Sequence, residues 1–273
     1  VSDFYVKLWG TRGSTPVSGP QMARYGGETI ALEIVAANER ILIDCGSGAR
    51  KLGLSLSKLD QKHYDYFLTH THLDHICGLP FFAPAYAPDC QVDFYAGNLS
   101  SDEELRATIC RIMSPPIFPV TANKLTGVSF KHFEPGHKWV KDSGLTIETQ
   151  ALNHPDGACG YRITYNAKSI AVITDHEMGV AHIDRAIEKF VSGVDIMLHD
   201  AMYCDEELPR FKGYGHSSWQ QSIDLALKAK VATPVLFHHD PKRTDDELDA
   251  IAHQARNLHG GALMAYDGQI IYL

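Results

Sequence analysis

Apolar residues fall in short runs separated by polar, glycine- or proline-bearing breaks, a pattern that predicts strands more often than long helices. FYVKLWG opens the series at Phe4. TIALEIV (29–35) and RILIDCG (40–46) flank the polar break AANE, as the arms of a hairpin would. YDYFLTH (64–70) is aromatic and apolar, and runs straight into a histidine cluster. LTIETQALNH (145–154), YRITYN (161–166) and SIAVITD (169–175) predict three more strands, the last two joined at NAK. DIMLHD (195–200) and TPVLFHH (233–239) are short enough to be buried strands. Helical spacing enters later. SSWQQSIDLALKAK (217–230) predicts a helix with a Ser217/Gln220 capping box, and TDDELDAIAHQARNL (244–258) one capped by Thr244/Glu247. In the second, Leu248, Ile251, Ala255 and Leu258 make one apolar face. Strands first, then strands alternating with helices, predict an α/β protein with helices outside a two-sheet core. The proline-rich loop 114–120 within RIMSPPIFPV has no predicted place; it either covers a site or joins two elements.

No internal repeat or long linker interrupts this series, so residues 1–273 read as a single domain. The formal net charge of −8 argues against a broad nucleic-acid-binding surface. Six scattered cysteines without a CxxC pair read as reduced residues of the interior. The opening VSDFYVKLWG has no apolar run of signal-peptide length, and no stretch approaches a membrane span. A cytoplasmic enzyme with no membrane partner is the expectation.

Composition changes the picture at one residue type. There are 15 histidines, and LTHTHLDH (68–75) places His70, His72, Asp74 and His75 within six residues. A lone histidine at a strand end is ordinarily a hydrogen-bonded structural residue. This density of polar groups is different, because its burial is costly unless something compensates it. On extended backbone alternate residues share a face, so His70 and His72 can address one cation, and after a turn Asp74 and His75 a second. Later strand ends supply more donors. His154 would complete the first site, Asp175 has two oxygens to bridge both, and His238 would complete the second, with its neighbour His239 as the rival. Nitrogen and carboxylate ligands without thiolate suit two divalent ions, zinc first, with manganese or iron as alternatives.

HTHLDH with the ordered His154, Asp175 and His238 resembles the metallo-β-lactamase-fold hydrolases, and LIDCGSG (42–48) resembles their first motif, in which the aspartate (here Asp44) holds a turn beneath the metals. The resemblance covers nearly the whole chain. It implies a four-layer αββα sandwich with a dinuclear site at one edge. GYGHSSWQQSIDLALKAKVATPVLFHHDP resembles the ribonuclease Z-like phosphodiesterase branch, which makes His216 the residue that assists catalysis, and GTRGSTP (10–16) resembles that branch's glycine-rich loop. Arg12, Ser14 and Thr15 are then candidate phosphate contacts. No glycine- and proline-rich insertion resembles the tRNA-clamping arm of ribonuclease Z, so the expected partner is a small phosphodiester, cyclic nucleotides included, rather than structured RNA. The resemblance leaves a homodimer open. The implied chemistry is in-line attack on phosphorus by a hydroxide shared between the metals, with Asp74 orienting it and His216 protonating the leaving oxygen. A lactonase, thioesterase or β-lactamase-like carbonyl hydrolase is the alternative, since the same nucleophile attacks a carbonyl. His199 and Asp200 are either orienting partners or strand-end structure, and His176 and Glu177 have no spacing that places them.

Overall fold

In the computed structural model, which describes residues 4–273, alternation builds the first sheet. Val6 and Leu8 point inward along Tyr5–Gly10 (β1), which pairs antiparallel with Ala31–Ala36 (β2). β2 pairs with Glu39–Ile43 (β3) through a tight turn at Ala37 and Asn38, both in the left-handed region (φ 54° and 64°). That is the primed turn that matches the twist of paired strands, so the predicted hairpin is present with strands reaching further into AANE. His63–Leu68 (β4), Gln91–Ala96 (β5) and Val128–His132 (β6) then add in parallel. The second sheet begins antiparallel with Lys138–Val140 (β7), Thr146–Leu152 (β8), Ala158–Tyr165 (β9) and Lys168–Ile173 (β10). It continues in parallel with Ile196–Asp200 (β11), Thr233–Phe237 (β12) and Leu263–Met264 (β13). Ile270–Tyr272 (β14) returns to the first sheet beside β1.

Helices cover both outer faces. Ala49–Leu56 (α1), the short Leu73–Ile76 (α2) and Asp102–Ile112 (α3) belong to the first half; Ala181–Phe190 (α4), Trp219–Ala229 (α5) and Asp245–Leu258 (α6) to the second. Between the sheets, Val6, Leu32, Ile43 and Phe67 meet Ile147, Tyr161, Val172, Leu198 and Val235. On the first outer face Tyr66, Leu68 and Phe94 pack on Leu52 of α1 and Leu105 and Ile109 of α3. On the second, Met197 packs with Ile187 of α4 and Ala226 of α5, and Leu236 with Leu248 and Ile251 of α6. The layers are therefore α, β, β, α, as the family resemblance implied.

Several local expectations need correction. The capping box of α5 is Ser218/Gln221, one residue later than Ser217/Gln220: Gln221 N–H donates to Ser218 Oγ and Ser218 N–H to Gln221 Oε1. Ser217 is otherwise engaged, its hydroxyl donating to the His176 carbonyl at 2.5 Å. The Thr244/Glu247 box is present as expected. Leu258 is exposed, and Ala252 is buried beside Leu248, Ile251 and Ala255 in its place. Loop 114–120 runs between α3 and β6 and packs through Phe118 on Phe81 and the first outer cluster. All six cysteines are free. Among the described residues no helix is long and apolar enough to cross a membrane; the first three residues of the opening segment lie outside them.

Phe67 shows what the inter-sheet core rests on. Its ring stacks on Tyr95 (4.7 Å) and meets Trp139 and Tyr161 edge-on at 5.1 and 5.6 Å. Phe67→Ala is expected to lower unfolding free energy by about 3–5 kcal/mol in a urea titration, the usual cost of emptying a phenyl-sized core site.

Candidate metal centre

The C-terminal ends of β4, β10, β11 and β12 lie along one edge, where sites in such sheets gather. His70 follows β4 by two residues, Asp175 follows β10 by two, and His238 follows β12 directly. His154 arrives from the end of β8. Asp44, Asp175 and His238 all hold left-handed backbone (φ 57°, 51° and 59°), which turns each side chain off its strand. Non-glycine residues in that conformation cost about 1–3 kcal/mol and concentrate at functional sites.

The edge holds two abutting donor groups of expected ligands, His70, His72 and His154, and Asp74, His75, Asp175 and His238, with ligand atoms inside each group within 4.8 Å of one another; Asp200 and His216 form a third with His238. All seven residues expected from the sequence are thus brought together. Asp175 stands between the groups. Its Oδ2 lies 3.8 Å from Nε2 of both His70 and His154, and its Oδ1 lies 3.3 Å from His75 Nε2 and 3.2 Å from His238 Nε2. Asp74 Oδ2 is 3.4 Å from the same two nitrogens of His75 and His238. His72 turns Nδ1 inward, 3.0 Å from His154 Nε2.

Hydrogen bonds fix which atoms face inward. The Asp44 carboxylate accepts from Thr69 N–H (2.7 Å), the Thr69 hydroxyl (2.8 Å) and His75 Nδ1–H (2.8 Å), leaving His75 Nε2 toward the centre. His154 Nδ1–H donates to the Gly215 carbonyl at 2.9 Å, leaving Nε2 inward. His70 Nε2, His75 Nε2 and both ring nitrogens of His238 are buried without a hydrogen-bond partner. An unmet buried polar atom costs about 1–3 kcal/mol, and three of these, Nε2 of His70, His75 and His238, lie 3.8, 3.3 and 3.2 Å from Asp175 oxygens, the pattern that a coordinated cation resolves. The charge balance agrees. Burial opposes charge on His75, yet Asp74, Asp175 and Asp44 draw its pKa well above the ordinary histidine range. The centre thus presents a strongly negative environment in which a cation fits.

The last ligand position was open between two histidines. His239 points away: its Nε2–H donates to the Ala265 carbonyl (2.9 Å), and its ring packs edge-on against Tyr25. His238 faces the centre and stacks on His75 and His216. Against it lies the GTRGSTP loop, where a Cβ on Gly13 would come within 2.4 Å of the His238 ring. Ser14 N–H donates to Asp74 Oδ2 at 2.7 Å. Arg12 is not a phosphate contact: it is fully buried and donates to the carbonyls of Gly26, Asp240 and Arg243.

His216 borders the centre, its Nδ1–H donating to Asp200 Oδ2 at 2.8 Å and lying 3.9 Å from Asp175 Oδ2. Burial opposes its charge, but Asp200, Asp175 and Asp74 outweigh that and raise its pKa to about 9. Asp200 is therefore an orienting partner, whereas His199 donates to the Asp200 carbonyl and burial lowers its pKa. His176 accepts from Asn153 N–H through Nδ1, and Glu177 accepts from Gly213 and Gly215 N–H. Neither role was visible in sequence spacing, because each partner comes from a distant segment.

The family model described as a beta-lactamase superfamily domain matches residues 39–239. The chain belongs to the beta-lactamase superfamily. It has the metallo-β-lactamase fold and is a metal-dependent hydrolase, the fold implying divalent metal ions. Among curated superfamily relatives, ribonuclease Z of Lactococcus lactis subsp. lactis (strain IL1403) is 22% identical over 88% of this chain and 92% of its own. Ribonuclease Z of Enterococcus faecalis (strain ATCC 700802 / V583) is 24% identical over 89% and 90%. Among solved structures, the metallo-beta-lactamase fold protein YhfI of Bacillus subtilis aligns with a TM-score of 0.74 at 17% identity, over 98% of both chains. A diphosphatase from the PhnP family aligns at 0.71 and 19%, over 99% of this chain and 98% of its own. The short form of human tRNase Z aligns at 0.68 and 19%, over 98% of both.

If superfamily metal is held as this geometry arranges it, elemental analysis should separate the adjacent histidines. His238→Ala is expected to lose bound metal, whereas His239→Ala should keep wild-type stoichiometry in its folded fraction while unfolding more readily.

Proposed function

We propose that the chain is a single-domain cytoplasmic phosphodiesterase that binds two divalent ions, zinc by its donor set, and hydrolyses a small phosphodiester, cyclic nucleotides included. The observation that carries this reading is Asp175, whose two oxygens face two separate donor groups. His70, His72 and His154 would hold one ion, Asp74, His75 and His238 the other, and Asp175 both. Such a pair supplies an activated water at neutral pH and neutralises charge on the phosphoryl oxygens.

The chain's own residues supply the rest. Asp74, fixed by Ser14 N–H, lies where its carboxylate can orient the attacking water. His216, with Nδ1 held by Asp200, has Nε2 left to give a proton to the departing ester oxygen. Asp200 sets the tautomer and aim of that imidazole, as a carboxylate partner commonly does. Support for phosphorus over carbonyl substrates comes from relatives named ribonuclease Z and from the diphosphatase among the structural neighbours. Those same names favour a second reading, cleavage of an RNA phosphodiester. The net charge of −8 weighs toward the smaller substrate.

Zinc- and manganese-loaded protein should be assayed beside a chelator-treated control on bis(p-nitrophenyl) phosphate, p-nitrophenyl phosphate, cyclic nucleotides, a thioester, a lactone and a tRNA with a 3′ extension. Metal-dependent cleavage of diester but not monoester is expected; cleavage of only thioester or lactone would overturn the reading, and cleavage of only the RNA would establish the second one. In the same assay His216→Ala should lower kcat about 10²–10⁴-fold with metal content unchanged, and full activity in that variant would remove His216 from the mechanism.

A further inference from the structure

A cleft of about 990 Å3 lies at the opposite ends of β4 and β5, far along the strands from the centre. Its buried carboxylates already have partners: Asp93 accepts from Lys131, Ser129 and Gln91, and Asp65 from Lys141. A smaller cavity of about 370 Å3 differs in both place and lining. His216 forms part of its wall, so it opens directly beside the proposed proton donor. Met178 and Val180, from the segment after Asp175, line it together with Leu208 and Phe211, from the segment before His216. The volume falls in the range of small-molecule sites, about 300–1,000 Å3, and a mostly apolar wall with a few polar groups is their usual composition.

This cavity is held in register with the centre. Glu177 accepts from Gly213 N–H (3.0 and 2.8 Å) and Gly215 N–H (2.9 Å), and both glycines have positive φ, 86° and 85°. The Gly215 carbonyl takes the His154 Nδ1 proton, and a Cβ on Gly215 would lie 2.0 Å from that nitrogen. Phe211 is fixed from behind by a parallel stack on Tyr203, with centroids 4.4 Å apart and planes 4° apart. A cavity lined by a braced aromatic ring together with a methionine, a valine and a leucine suits a flat ring, since ring faces pack well on both aromatic and aliphatic surfaces.

We propose that the cavity walled by Met178, Val180, Leu208 and Phe211 is a substrate subsite for a flat ring carried on the phosphoryl group, making the substrate class aryl or nucleoside phosphodiesters rather than alkyl ones. The assignment rests on the phosphodiesterase reading above and narrows it. Lys212, exposed at the cavity wall, is placed to meet a polar edge of such a ring or a second anionic group.

The test is a binding measurement, separate from turnover. Zinc-loaded wild type, Leu208→Ser and Met178→Ser are titrated calorimetrically with phenyl phosphate, thymidine 5′-monophosphate and methyl phosphate. Wild type is expected to bind the two ring-bearing ligands about tenfold more tightly than methyl phosphate. Each variant should lose most of that preference while its affinity for methyl phosphate stays put. Equal affinities in wild type, or an undiminished preference in both variants, would overturn the subsite. Diester hydrolysis without ring preference refutes the subsite and leaves the phosphodiesterase reading standing; ring preference without diester hydrolysis does the reverse.

Discussion

The bonds around the Asp44 carboxylate tie this structure to its site. Asp44 leaves β3 on left-handed backbone, and its buried carboxylate accepts from the Thr69 amide, the Thr69 hydroxyl and His75 Nδ1. Its carbonyl accepts from the Tyr66 hydroxyl. A carboxylate without these partners would be very costly at this depth. With them, the end of β3, the end of β4 and the first helical turn after the histidine cluster have one arrangement in common. The remaining donors are brought to that fixed point by the second sheet, as Tyr161 of β9 reaches across to bond the Leu68 carbonyl at 2.5 Å.

Two sheets that face each other through apolar side chains can deliver polar groups only at their rims. That is why the candidate ligands come from segments that follow strands, Asp74 and His75 on the short helix α2 and the others on loops, and why three of the residues involved accept unfavourable backbone angles. The core stabilises what the rim strains. Phe67 illustrates the division: its ring lies between the sheets, while Thr69 and His70, next along the chain, belong to the centre.

Much of this was legible from the chain. HTHLDH is dense enough that burial itself demanded an explanation, and His154, Asp175 and His238 each follow an apolar run whose end could be read. Legibility failed where local signals compete or partners are remote. Ser217 and Ser218 are both credible caps, and only the His176 carbonyl, forty-one residues away in sequence, decides between them. Strand β5 and the helices α1, α3 and α4 were not expected from the sequence: α1 and α4 begin without a side-chain N-cap to mark their start, whereas Ser101 before α3 was a start signal that could have been read. Arg12 was a candidate phosphate contact because it is a cation in a glycine-rich loop. Its burial against three carbonyls reflects the return of a distant segment, Asp240 to Arg243. Asp200 and Glu177 act through hydrogen bonds to residues far along the chain, which no spacing within one segment can show.

The bond from His154 to Gly215 has a thermodynamic consequence. The imidazole can offer Nε2 to a cation only while Nδ1 keeps its proton, and that proton is the one the 213–215 loop needs. Loop order and cation occupancy at that ring are therefore linked functions. Whatever factor one gains from the other is returned in full, because the cycle connecting the four states must close. A ligand that braces the loop from the far side would then tighten the hold on an ion it never touches.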